Sequence, residues 1–204
     1  GYLADIESKV VARGYGLQAR LPVVAYALFV RSLLGDTDRD AAREVLTQVE
    51  RPSIETLGWL LLVLSGDAAS AHQVAEIRRQ LGNQVSETAS TAQFTESYLE
   101  EDGYLILASD RRSDAVALEA LIVDQPANDL IPKLVRGLLD HRTAGRWGST
   151  QENAFVLLAL DRYFRTFEGE TPDFVARAWL GDGYLGEQAF RGRTADRGLV
   201  EVPM

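Results

Sequence analysis

The stretch Gly145-Arg-Trp-Gly-Ser-Thr-Gln-Glu-Asn-Ala-Phe-Val-Leu-Leu-Ala-Leu-Asp-Arg-Tyr163 decides how the chain is read. It is a loop that turns into a capped helix. Ser149 stands at the cap, where its hydroxyl accepts from a first-turn N–H, and Glu152 reaches back to the N–H of the cap. Val156, Leu160, Phe164 and Phe167 then form one apolar stripe, and Phe155, Leu158 and Ala159 a second. Such a helix has little polar surface to show water, so most of it is expected to be covered. Trp147, flanked by Gly145 and Gly148, is expected to anchor the mouth of this helix by packing.

Outward from this stretch, helices of two kinds alternate. Residues 21–34 are apolar nearly all round, and residues 39–50 are amphipathic, with Ala42, Val45, Leu46 and Val49 on the inner face. Residues 54–65 are apolar all round again, through Leu57, Leu60, Leu61 and Leu64 with Trp59, Leu62 and Val63. Residues 69–81 return to a stripe of Val74, Ile77 and Leu81. The pair of types recurs as 113–123 (buried), 130–141 (Ile131, Leu134, Val135 and Leu138) and 149–167 (buried). A helix with no polar face must be enclosed, and a striped one covers it from outside. Four enclosed helices alternating with three covering ones fit an α/α toroid or a helical-hairpin solenoid. Leu33-Leu-Gly-Asp36 and Leu64-Ser-Gly-Asp67 end two of the enclosed helices 31 residues apart, a length suited to one helical hairpin. Gly35, Gly66 and Gly82 are expected at left-handed helix ends, with Asp36 or Asp67 helping to start the next helix.

Two regions break the pattern. Residues 83–103 are rich in Ser, Thr and Gln; Glu101-Asp102-Gly103 signals a turn, and a small β-hairpin is predicted with Phe94–Leu99 before it and Tyr104–Leu107 after it. After Gly169, glycines at 181, 183, 186, 192 and 198 interrupt aromatic and aliphatic residues, which predicts extended, turn-rich chain. Leu199–Pro203 is expected to be a strand without a sheet of its own. The tail should therefore pack across the helices or pair with a second molecule, a form of self-association, and not build a regular sheet alone.

The 204 residues are 46% hydrophobic, enough for a substantial core. A net charge of −9 argues against a nucleic-acid partner, whose phosphates call for a basic surface. The absence of cysteine removes disulfides, thiolate metal sites and cysteine nucleophiles. Two distant histidines, His72 and His141, argue against a histidine metal site or a Ser-His-Asp triad; both fall on covering helices and are expected at the surface. No signal peptide is seen, and no apolar run approaches the roughly 18 residues of a membrane span. A start at Gly1 and a single methionine at Met204 suggest a piece of a longer protein.

The Gly-Arg-Trp-x-Ser-Thr-Gln-Glu-Asn-Ala helix ending in Ala-Leu-x-x-Tyr resembles the late part of the thioester domain of bacterial α2-macroglobulins. Ser109-Asp-Arg-Arg-Ser-Asp-Ala-Val-Ala-Leu-Glu-Ala-Leu121 and Leu130-Ile-Pro-Lys-Leu-Val-Arg-Gly-Leu-Leu139 are similar to that domain's preceding helices. Trp179-Leu-Gly-Asp-Gly-Tyr184 and Phe190-Arg-Gly-Arg193 resemble the return into the CUB-like β-domain that follows. The likeness is specific from about residue 104 onward. It implies a mainly α fold, with residues 1–170 a partial toroid domain carrying a small β-hairpin insertion, and 171–204 a return segment of the adjoining β-domain. It also implies a broad-spectrum protease inhibitor. A protease cuts a bait region elsewhere in the parent, and the parent rearranges to entrap it. Such bacterial proteins are periplasmic and often lipid-anchored to the inner membrane. Proteases would be the partners, through the parent, and this piece would be scaffold without enzymatic activity.

Leu185-Gly-Glu-Gln188 is superficially similar to the family's Cys-x-Glu-Gln thioester sequence. Leucine cannot supply the sulfur, and the match lies at the wrong end of the domain. In eukaryotic relatives a histidine of this domain assists acyl transfer, but neither His72 nor His141 sits in a matching motif. Asp110-Arg111-Arg112-Ser113-Asp114 is expected to be a solvated helix start, with an aspartate at the positive end of the helix dipole. No catalytic, cofactor-binding or metal-binding residue is assigned, and no cofactor is implied. An alternative is an α/α-toroid enzyme processing carbohydrates or terpenoids, for which Glu55, Asp114, Glu119, Glu152 and Asp161 are the acids on enclosed helices. A helical peptide-binding module is the other.

Overall fold

The computed structural model describes residues 1–96, 98, 100–169 and 171–192. The chain is mainly α and forms two compact units, Gly1–Tyr163 and Phe164–Met204. The helices are α1 (Ile6–Ala12), α2 (Leu17–Leu33), α3 (Arg39–Thr47), α4 (Ile54–Leu64), α5 (Ala71–Gln84), α6 (Glu100–Leu105), α7 (Asp110–Asp124), α8 (Leu130–Asp140) and α9 (Thr150–Phe167). Strands β1 (Val85–Glu87) and β2 (Ala92–Phe94) form one antiparallel hairpin, with Val85 opposite Phe94. A second hairpin joins β3 (Asp173–Leu180) to β4 (Gly183–Arg191), with Phe174 opposite Phe190 and Trp179 opposite Tyr184.

The alternation of helix types holds for the central elements. Helix α4 buries ten of its eleven residues and α7 buries ten of fifteen. The covering helices bury one stripe each: Ala42 and Val45 of α3, Val74, Ile77 and Leu81 of α5, and Ile131, Leu134, Val135 and Leu138 of α8. Helices α4, α7 and α9 run parallel, as the pairing of their like ends shows. Arg112 at the start of α7 holds Glu55 at the start of α4, and Asp124 at the end of α7 accepts from Ser65, just past α4 (2.8 Å). Likewise Gln151 and Glu152 at the start of α9 meet Arg112 and Ser109, and Arg162 further along α9 meets Glu119 of α7 (3.0 Å). Parallel neighbours require a return helix between them, which is the role of α5 and α8.

Several expectations are corrected. Helix α9 is not enclosed: Val156, Ala159 and Leu160 are buried, whereas Leu158 is 59% exposed and Phe164 and Phe167 are also exposed. Its second stripe divides: Ala159 is buried and Phe155 packs against the core, but Leu158 is not covered. The end of α2 is similarly open, with Leu33 and Leu34 exposed, and α2 begins at Leu17, so Pro22 lies inside it. Gly35 and Gly66 do take left-handed φ values of 83° and 78°, but Gly82 continues α5 to Gln84. Asp38, not Asp36, caps α3 by accepting from Ala41 N–H (3.1 Å), while Asp36 pairs with Arg31 (2.7 Å). Asp67 accepts from Ser70 Oγ and organises the turn before α5 without capping it.

The predicted hairpin exists, but it lies earlier, at 85–94. Residues 101–107, expected to form its turn and second strand, form most of α6 and the turn after it instead. One part of the tail expectation is corrected: β3 and β4 pair with each other within this chain over eight residue pairs. Leu199–Pro203 lies outside the described residues.

Two helical glycines have opposite tasks. A Cβ on Gly58 would sit 2.6 Å from Val116 Cγ1 and 3.3 Å from the Val116 backbone, so α4 and α7 approach each other through the missing side chain. Gly82 has nothing within 4 Å of a Cβ. We expect Gly58→Ala to lower stability by about 1–3 kcal/mol through overpacking. Gly82→Ala should raise it by about 0.5–1 kcal/mol through helix propensity alone. Urea melts of both variants decide this; equal effects would mean that α4 and α7 are not in close contact.

Candidate functional site

Parallel packing brings the N-terminal ends of α4, α7 and α9 to one end of the array. Each carries a serine cap: Ser53 accepts from Thr56 N–H (3.2 Å), Ser109 from Arg112 N–H (3.4 Å) and Ser149 from Glu152 N–H (3.1 Å). Glu152 returns a bond from Ser149 N–H (3.2 Å), which completes the expected capping box. Converging helix N-termini concentrate positive potential, and carboxylates gather there.

At the centre lies Arg112, which is 6% exposed. Its Nε and Nη2 donate to Glu55 Oε1 and Oε2 at 2.6 and 2.8 Å. Its Nη1 donates to Ile106 O (2.9 Å) and to Gln151 Oε1. Ser113 Oγ bridges two acids, lying 2.9 Å from Glu96 Oε1 and 3.3 Å from Glu55 Oε1. Glu96 Oε1 also accepts from Glu55 N–H (3.1 Å), so it serves α4 as a second cap from the loop after β2. Asp114, 1% exposed, accepts from Phe94 N–H at 2.6 Å. Its other oxygen lies 3.0 Å from Arg111 Nη1, at ion-pair distance without an aligned hydrogen bond.

Burial, with Glu55 beside it, pushes the Glu96 carboxyl up to about 7. Burial likewise raises Asp114 to about 7, against the lowering influence of Arg111. Tyr98 is raised above its ordinary value by burial, and by Glu55 and Glu96.

Two clefts flank this cluster. One, of about 510 Å³, is walled by Tyr26, Trp59 and Phe155 with Glu55, Arg112 and Gln151 among its lining residues. The aromatic wall is continuous, with Tyr26–Trp59 centroids 5.0 Å apart and Trp59–Phe155 5.6 Å. The other, of about 850 Å³, is lined by Glu96, Tyr98, Leu107, Ser109 and Glu152. Leu107 borders both and holds a left-handed φ of 53°.

Asp110–Asp114 was expected to be a solvated helix start, and the structure overturns this: Arg112, Ser113 and Asp114 are buried. They continue the face of Val116, Ala117 and Ala120 back by one turn, a periodic signal that runs through the charged residues. Glu96 and Tyr98 escape sequence reasoning, because they lie in the polar stretch with no helical period. Trp147 is the anchor expected, 5% exposed and donating from Nε1 to Leu138 O (2.8 Å). His72 and His141 are exposed, and His141 Nδ1 lies 2.9 Å from Arg111 Nη1. Glu119 and Asp161 do not join the cluster; Glu119 pairs with Arg162. Gln188 is exposed on β4, opposite Ala176. No group of three or more His, Cys, Asp or Glu with metal-holding geometry occurs among the described residues.

Chemically, the cluster is closed on itself. An inverting glycosidase needs two carboxyl groups roughly 6.5–9.5 Å apart with water between them. Here the Ser113 hydroxyl stands between Glu55 and Glu96, and both Glu55 oxygens are held by the guanidinium. Removing one partner of such a buried pair leaves the other charged and unsatisfied. Arg112→Met is therefore expected to cost about 3–5 kcal/mol in a urea melt, with much of that loss recovered in Arg112→Met/Glu55→Gln. A double variant as unstable as the sum of its parts would show that the pair is not the reason.

The chain matches no protein-family model and no solved structure. Over 178 residues, 87% of its length, it is 29% identical to an α2-macroglobulin homolog of Nostoc sp. and covers 9% of that protein. Over 129 residues, 63% of its length, it is 29% identical to circularly permutated Ras protein 2 of Dictyostelium discoideum and covers 3% of that protein. The chain thus spans less than a tenth of either relative and is similar, along most of its own length, to a stretch of an α2-macroglobulin homolog.

Proposed function

We propose that the chain is a scaffold part of the thioester-type helical domain of an α2-macroglobulin-like protease inhibitor. The observation that carries this reading is the similarity to the Nostoc homolog along 87% of the chain. The family wording of the α7, α8 and α9 sequences supports it. In this reading residues 1–170 belong to the toroid domain and 171–204 begin the adjoining β-domain. The parent is periplasmic, is cut by a protease in a bait region outside these residues, and entraps its attacker. The α-helical array shelters a reactive bond supplied by another part of the parent, because this chain has no cysteine to form one.

The reading is non-enzymatic. Glu55 is held by the guanidinium of Arg112 and Glu96 by Ser113 and a backbone N–H, which suits a rigid support better than an acid–base catalyst.

The parent reading frame provides the test. Incubated with trypsin, it should leave activity on a small peptide substrate largely intact while protecting a protein-sized substrate. Equal cleavage of both substrates, with the parent itself cut, would overturn the reading. For the chain alone, methylamine should give no stoichiometric mass gain at Gln188, since Leu185 stands where a thioester needs cysteine. A labelled Gln188 would show acyl chemistry that this assignment does not allow.

A further inference from the structure

Strand β3 uses one of its two edges. Gly192 N–H donates to Pro172 O (2.8 Å), and the pairing continues with Phe174 opposite Phe190 and Ala176 opposite Gln188. An antiparallel ladder alternates with a period of two, so Pro172, Phe174 and Ala176 turn their backbone groups toward β4, and Asp173, Val175 and Arg177 turn theirs away. Among the described residues, no other strand pairs with this edge. Between Asp173 and Leu180 it carries no proline, no lysine and no bulge, the devices that commonly protect an edge. The irregularity of the ribbon falls on β4, whose extra residue is Leu185.

The three outward residues share one face of the ribbon and read acid, apolar, base. Across the hairpin Asp173 lies 3.9 Å from Arg191, and Arg177 lies 2.9 Å from Glu187. All of these side chains are exposed, as is Val175 between them. The edge therefore has a specific complement: an antiparallel strand with a base where Asp173 falls and an acid where Arg177 falls. Read backwards, β3 is that strand.

We propose that β3 is a self-association edge, on which a second copy of this chain lays its own β3 antiparallel to complete a four-stranded sheet. With Val175 opposite the partner's Val175, Asp173 of each chain stands opposite Arg177 of the other, and the outward backbone groups of both strands meet. Charges then alternate across the sheet as Arg191, Asp173, the partner's Arg177 and the partner's Glu187. A slip of two residues sets Asp173 against the partner's Val175 or Trp179. A slip of four sets Arg177 against Arg177 or Asp173 against Asp173, and like charges directly opposite are destabilising. The Val175 register is the one that pairs both charges. The same patch serves both chains, so the contact closes at two. This inference goes beyond the protease-inhibitor reading and rests on the hairpin alone.

Sedimentation equilibrium on the 204-residue chain should show monomers in exchange with dimers. Asp173→Arg and Arg177→Asp each put like charges opposite one another in the homodimer, so each should weaken association on the order of tenfold. Mixed in equal amounts, the two variants should associate as tightly as wild type, because both positions are then basic in one chain and acidic in the other. Mixing cannot repair a hairpin damaged by substitution, so recovery reports the contact itself. In the wild type, amide exchange at Asp173, Val175 and Arg177 should slow as concentration rises, while Phe174 and Ala176, already bonded to β4, stay unchanged. A chain that is monomeric from micromolar to millimolar overturns the proposal, as does a dimer indifferent to both substitutions. So does a mixture no tighter than its components, or growth into open-ended polymers. The parent protein supplies the last arm: if it stays monomeric while this chain dimerises, another strand of the parent holds the edge and the proposal fails.

Discussion

The polar architecture of the helical unit follows from running α4, α7 and α9 parallel. Antiparallel neighbours would cancel their dipoles and spread their capping needs over both ends. Parallel ones bring three N-termini together, so unsatisfied N–H groups and positive potential accumulate in one place. Three serine caps answer the first problem. Glu55, Glu96, Asp110 and Glu152 answer the second, but they overshoot, and a buried arginine is needed to hold the nearest two helices together. The opposite end has the complementary solution, with Arg78 bound to Asp124 at 2.7 and 2.9 Å beside Ser65.

This arrangement trades stability for order. A buried ion pair gives little net free energy, because desolvating both charges offsets most of their attraction. Its effect is on register. The bidentate fork of Arg112 on Glu55 fixes how far α7 can slide along α4, and Gly58 against Val116 fixes how closely they approach. The apolar core around them, running from Leu21 through Leu160, supplies the stabilising burial but would tolerate several registers by itself.

The helix types were legible because burial leaves a period. Where a covering helix meets water on one side, as in α8, the stripe named from sequence is the stripe that is buried. Failures occur where an apolar residue stays exposed or where polarity hides burial. Leu158 has the pattern of an interior residue, yet it is exposed. Arg112 and Asp114 have the chemistry of surface residues, yet the face they share with Val116 carries them inside. Glu96 shows no local signal at all. Its burial depends on a strap from a different part of the chain crossing two helix ends, a relation that no window of adjacent residues contains. The β3–β4 pairing was missed for the opposite reason: the glycines suggested turns, while Arg177 facing Glu187 and Phe174 stacked on Phe190 at 5.1 Å stitch the strands across them.

The three tryptophans occupy three distinct settings. Trp59 is 3% exposed and stacks on Phe29 at 4.9 Å, Trp147 is 5% exposed with its indole N–H on a carbonyl, and Trp179 is 56% exposed on the hairpin. The chain therefore carries its own optical map. An aqueous quencher such as iodide reaches Trp179 first, a red shift from Trp147 signals that the start of α9 has lifted from α8, and a change at Trp59 signals loss of the aromatic wall between α2 and α4. One emission spectrum, resolved by quenching, separates events in the hairpin from events in the helical array without any label being added.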